Sequence, residues 1–206
     1  MSGGDIGIVV AEDHKLVRQG MLLVLSREPR LRVLGEAGDG ESAWRLIVAL
    51  KPTVLILDLG LPGIDGLDLM QLLAAEKQGT RVLVVTARQD TASVRAALAR
   101  GAQGYLLKTD DADALLKAVF TVAEGGYYVS PELANVVGEE TAEESALTPR
   151  EHEIACAVAC GLSSKVIGSR LDISEHTVRK HRENIARKLG LRNAAELVAW
   201  AIRRSL

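Results

Sequence analysis

The first 125 residues alternate short apolar runs with amphipathic helical stretches, five times in succession. The runs are Ile6–Ala11, Arg32–Ala37, Thr53–Asp58, Arg81–Thr86 and Gly104–Leu107, and the helical stretches fall near 14–26, 40–50, 66–77, 91–100 and 111–124. In the last stretch Leu115, Leu116, Val119 and Val122 recur at three-to-four spacing, the mark of one buried helix face. This alternation predicts a doubly wound, five-stranded parallel sheet with helices on both faces and right-handed crossovers. Runs rich in Val, Ile and Leu fit strands that are covered on both sides. Only 3% of the 206 residues are aromatic, so the core has to be built from aliphatic side chains.

Open sheets of this kind gather ligands beyond the carboxyl ends of their strands, at the point where the strand order reverses. Acids stand at two such ends: Glu12-Asp13 follows the first run, and Asp58 closes the third, just before Gly60-Leu61-Pro62-Gly63. If those runs are neighbours, three carboxylates converge. Like charges so close repel one another unless they are protonated or a cation offsets them. An all-oxygen set suits a hard divalent ion such as Mg²⁺, which keeps waters and takes up a substrate phosphate. The expectation is a metal-assisted phosphate site; the plainer alternative is a set of ordinary solvated strand ends.

The pattern breaks at Gly125-Gly126. A short segment started by Ser130-Pro131 follows, and then Gly138 to Ser145, poor in apolar residues and repeatedly acidic, reads as a linker. The division is therefore a first domain at 1–125, a linker at 126–146 and a second domain at 147–206. Thr148, Pro149 and Glu151 spell a capping box with proline at the first helical position. Four helices are expected, near 149–160, 164–171, 175–189 and 193–204, with Ser163 and Ser174 as caps of the second and third. Two helices joined by the tight turn at 171–174 form a helix-turn-helix.

The third of these helices carries the argument. Val178, His181, Ile185 and Leu189 share one side, and His176, Arg179, Lys180, Glu183 and Arg187 share the other. A buried apolar stripe with a basic stripe facing out is the geometry of a helix read into a DNA major groove. Charge agrees: residues 148–206 hold 11 Lys+Arg against 6 Asp+Glu, while the remainder of the chain is net acidic. In the last helix Ala194, Leu197, Val198 and Ala201 form one apolar stripe, and Ala195, Ala199 and Ile202 form a second beside it. One stripe suffices for its own domain, so the second is expected to meet a partner.

Other classes find less support. No apolar stretch is long enough for a membrane span, the start lacks a signal-peptide pattern, and a cytoplasmic protein is expected. Cys156 and Cys160 read as small core residues rather than as zinc ligands or a disulfide. No P-loop occurs, and Gly35, Gly38 and Gly40 lack dinucleotide-binding spacing.

The strings AEDH (11–14), LDLGLPGIDG (57–66), TA (86–87) and GAQGYLLK (101–108) resemble the receiver domain of two-component response regulators, a flavodoxin-like fold. LTPRE (147–151) and GLSSKVIGSRLDISEHTVRKHRENIARKLGL (161–191) resemble the LuxR-type DNA-binding domain. The pairing resembles the NarL/FixJ class over nearly the whole chain. That resemblance implies a transcriptional regulator rather than an enzyme, phosphorylated at Asp58 by a sensor histidine kinase. It further implies Mg²⁺ held by Glu12, Asp13, Asp58 and the Gly60 carbonyl, with Lys108 and Thr86 on the phosphoryl group and Tyr105 as the switch residue. It maps Arg179, Lys180 and Glu183 onto base-reading positions of double-stranded DNA. Ser164, Lys165, Ser174, His176, Lys188 and Asn193 become candidates for phosphate contact. Ala195, Ala199 and Ile202 become the face of a DNA-bound homodimer.

Three departures from the receiver pattern stand out. Glu12 is longer than the Asp often found there, Thr109 replaces a proline after Lys108, and Gly60 and Arg88 occupy positions that bear on phosphoryl lifetime. Two rivals remain: a phosphorylation-independent regulator with a vestigial receiver, and a phosphatase using Asp58, although Gly60 stands where the latter wants a second Asp.

Overall fold

The computed structural model describes residues 5–76, 79–87, 90–133 and 147–204. Six parallel strands form one sheet in the order β2-β1-β3-β4-β5-β6. They are β1 (Ile6–Ala11), β2 (Leu31–Ala37), β3 (Val54–Leu57), β4 (Arg81–Thr86), β5 (Gly104–Leu107) and β6 (Tyr128–Val129). The helices between them are α1 (Lys15–Leu25), α2 (Gly40–Leu50), α3 (Gly66–Ala75), α4 (Thr91–Ala99) and α5 (Ala112–Ala123). Alternation along the strands sorts the core into two layers. Ile8, Val10, Ile56 and Leu83 pack with Met21 and Leu25 of α1 and with Val119 and Val122 of α5. Val9, Leu55, Leu57 and Val84 face Ile47, Leu69 and Val94 of α2, α3 and α4. Four of the five helix starts are capped by an Asp side chain, from Asp39, Asp65, Asp90 and Asp111.

The sixth strand departs from the five expected. It holds two residues, too few for a sequence pattern, and lies within the stretch read as linker. Tertiary pairing makes it: Tyr128 N donates to Gln103 O and Ser130 N to Tyr105 O on β5. The acidic part of the expected linker lies outside the described residues.

The C-terminal domain comprises α6 (Pro149–Ala159), α7 (Ser164–Leu171), α8 (Glu175–Lys188) and α9 (Ala194–Arg204). The capping box of Thr148 and Glu151 is formed, and Ser163 and Ser174 cap α7 and α8 as expected. The cysteines correct an expectation. Both Cys156 and Cys160 are exposed. The buried face of α6 is set by Ile154, Ala155 and Val158, which turns positions 156 and 160 outward.

The two domains touch through β6. One apolar cluster runs from Val129 and Leu133 into Ile154, Val158 and Trp200. At the seam Gly126 lies so near the α6–α7 turn that a Cβ there would fall 2.4 Å from the Gly161 carbonyl oxygen. Only a residue without a side chain allows that approach.

Candidate phosphoryl site and nucleic-acid interface

The β1–β3 register pairs Ala11 with Leu57, so the next residues, Glu12 and Asp58, emerge side by side where the strand order reverses. Asp58 N donates to Ala11 O at 2.9 Å and secures the alignment. Glu12 is wholly buried and Asp58 is 5% exposed. From the end of β5, Lys108 brings its Nζ to 2.9 Å from Asp58 Oδ2 and 2.8 Å from Glu12 Oε1. Lys108 N also donates to Thr86 O at 3.0 Å, which ties the ends of β4 and β5 together. Thr86 is buried beside this group, and Tyr105, wholly buried, pairs with Val84 along β4.

The electrostatics follow from two buried acids and one cation. Burial pushes Glu12 above the usual carboxylate range, and the Asp58 charge adds to this, against hydrogen bonds from Lys108 and His14 N. Burial pulls Lys108 down, but its bonds to Glu12 and Asp58 outweigh that and hold it above an ordinary lysine. Asp13, where desolvation is outweighed by its bond to His14, sits below an ordinary aspartate. One ligand atom from each of Glu12, Asp13, His14 and Asp58 lies within 4.8 Å of the others. Three carboxylates converge, as the run ends predicted.

His14 was missed by sequence reasoning. It stands at the start of α1, its Nδ1 is 2.7 Å from Asp13 Oδ1, and its N–H donates to Glu12 Oε1 at 3.0 Å. Adjacency to Glu12-Asp13 was the available signal. Gly60 lies exposed in the turn after β3, and Arg88 falls outside the described residues.

On α8 the expected division holds at all but one position. Val178, Ile185 and Leu189 are buried and His181 only half-buried, while His176, Arg179, Lys180, Glu183 and Arg187 are exposed. Arg179 pairs with Glu175 one turn back. Ser174 and Lys165 are exposed at the starts of α8 and α7. Two further phosphate-contact candidates have partners inside the domain. Lys188 Nζ reaches Glu151 Oε2 at 2.6 Å, and Asn193 Oδ1 caps α9 by accepting from Glu196 N at 2.9 Å. Burial pushes Glu151 up, but its bonds from Lys188 and Thr148 outweigh this and bring it down to about 2.

Residues 8–120 match the family described as response regulator receiver domain, and residues 145–201 match bacterial regulatory proteins of the luxR family. The chain belongs to the response regulators of the NarL/DegU type. It is 35% identical to the nitrate/nitrite response regulator protein NarL of Escherichia coli over 201 residues, covering 94% of this chain and 93% of that one. It is 34% identical to the transcriptional regulatory protein DegU of Brevibacillus brevis over 220 residues, covering 96% and 93%. Among solved structures it is similar to the response regulator ChrA of a heme-sensing two-component system, with 34% identity, a TM-score of 0.56 and 98% of both chains covered.

In this response regulator the exposed, mainly basic stripe of α8 borders a cleft of about 1040 Å³ between the two domains. Arg179, Glu183 and Arg187 line one wall, and Arg81, Glu124 and Tyr127 of the receiver line the other. The face assigned to a homodimer is also covered: Ala195 and Ala199 are buried within the chain, and half-buried Ile202 lines a cavity of about 230 Å³ with Tyr127, Tyr128 and Val129. Among the described residues no helix is long and apolar enough to cross a membrane.

Proposed function

We propose that a sensor histidine kinase transfers a phosphoryl group to Asp58, and that this frees the C-terminal domain to bind promoter DNA as a dimer. The observation that carries the reading is the buried set of Glu12 and Asp58 bridged by Lys108. An Asp58 oxygen attacks the phosphorus of the kinase's phosphohistidine; the P–N bond breaks, the imidazole leaves, and an aspartyl phosphate remains. The donor set fits Mg²⁺: Glu12, Asp13 and Asp58 would supply hard oxygen ligands, and the family resemblance adds the Gly60 carbonyl. When bound, the ion offsets charge on the phosphoryl oxygens. Lys108, freed from Asp58, holds one of those oxygens, and the Thr86 hydroxyl donates to another. Thr86 moving toward the phosphate opens room for Tyr105.

The cleft supports release of the DNA-binding domain as the controlled step. A helix about 10–12 Å across must enter the major groove, and its reading stripe borders a cleft whose other wall is the receiver. The domains have to separate before a duplex can approach, and phosphorylation shifts that equilibrium. The chain then acts as a regulator rather than a turnover enzyme, and Gly60 supplies no second carboxylate for hydrolysis. Incubation with acetyl phosphate and Mg²⁺ should add one phosphoryl mass to the wild type and none to Asp58→Asn. Phosphorylation of the Asn variant would reject the assignment, and DNA binding equal with and without acetyl phosphate would favour a vestigial receiver.

A further inference from the structure

The α8 residue that stands apart is Arg182, which belongs to neither stripe. It is 8% exposed, and burial lowers its proton affinity, with Tyr127 opposing and Arg179 adding to that effect. Its guanidinium carbon lies 5.2 Å from the centroid of the Tyr127 ring, across the domain boundary. Nη1 donates to Ser164 Oγ at 3.2 Å, whereas the buried Nη2 donates to no acceptor among the described residues. A guanidinium has five donors and does not give up its proton, so a buried, unused N–H is costly and marks a site short of one acceptor.

The surroundings say which acceptor fits. Ser164 opens α7, Ser163 caps it, and Lys165 is exposed beside them. The first turn of a helix presents N–H groups and a positive dipole end, which favour a phosphate. Contacts of this kind fix register on a duplex without reading sequence. Tyr127 covers the spot from the receiver side. It directly precedes β6, and just past that strand Ser130 N donates to the carbonyl of Tyr105 on β5. The ring is thus attached to the strand that carries the switch residue.

We propose that Arg182, with Ser164 and Lys165, forms a DNA-phosphate site that the Tyr127 ring covers, so that Arg182 engages either the ring or a phosphate but never both. This rests on the reading that the domains separate before DNA binds. The receiver is held closed by the same side chain that DNA needs, and release of one partner favours the other.

The test uses full-length protein and a fluorescent random-sequence duplex, with and without acetyl phosphate and Mg²⁺. Without acetyl phosphate, Tyr127→Ala should bind about tenfold more tightly than wild type, the size of a lost desolvated cation–ring contact. Tyr127→Phe keeps the ring and should match wild type. In the Tyr127→Ala background, Arg182→Ala should weaken binding about tenfold and reduce the slope of log affinity against log salt by about one. Arg182→Lys in that background keeps the charge and should retain the slope, which separates loss of contact from damage to the fold. If Tyr127→Ala binds like wild type, or if Arg182→Ala leaves the slope unchanged, the proposal is overturned. These arms need no phosphorylation. Activation by Tyr127→Ala with no response of the wild type to acetyl phosphate would reject the Asp58 reading and leave this one standing.

Discussion

The acidic end of the receiver and the basic face of α8 solve opposite problems with charge. At the first, Glu12, Asp58 and Lys108 are drawn out of water and locked together. At the second, Arg179, Lys180 and Glu183 stay in water. Transfer chemistry gains from groups fixed before the substrate arrives, because buried charges act at low dielectric and need no reordering. Reading a groove gains from long side chains that settle only against the bases. The difference teaches that a charged residue's cost to the fold depends on whether its partner is already inside the protein.

That contrast can be broken by removing one charge at a time. The largest effect should come from Lys108→Met, which leaves two buried carboxylates facing each other. Urea unfolding should show a loss of about 3 kcal/mol, the scale of a broken buried pair, partly restored by Mg²⁺. A loss under about 1 kcal/mol would mean that the site behaves as an exposed one.

Next comes Glu151, a buried acid within the basic domain. Its folded value of about 2 lies below the ordinary 4.5, so its contribution is present above pH 4.5 and is lost as pH falls toward 2. Glu151→Gln should cost about 2–3 kcal/mol at neutral pH and flatten the acid limb of a stability–pH curve. A variant whose acid limb matches the wild type would show that the Lys188 and Thr148 bonds do not act in solution.

The smallest effect on stability belongs to the exposed stripe. Arg179→Ala should change stability by no more than about 0.5 kcal/mol, yet cost about 1–3 kcal/mol of discrimination between cognate and random DNA. Equal losses on both sequences would make Arg179 a backbone contact.

Much of this could be read from the chain alone, for a definite reason. The strands, the helix caps and the α8 stripes are set by neighbours within one or two turns, and such neighbours leave a period or a short motif. Glu12 and Asp58 were legible because each follows an apolar run and parallel register does the rest. The features that escaped notice depend on contacts between distant segments. β6 exists because β5 pairs with it, and Arg182 is buried because Tyr127 lies over it. The outward cysteines depend on which side of α6 faces the other helices, and no spacing of two residues can report that.

The seam between Gly126 and Gly161 has a consequence for the molecule's resting posture. Because the folded-together arrangement tolerates no extra carbon at position 126, a single methyl group would act as a wedge. The contact between the two domains is thereby secured by a missing atom as much as by any attraction, and the smallest possible enlargement of one residue would prise them apart.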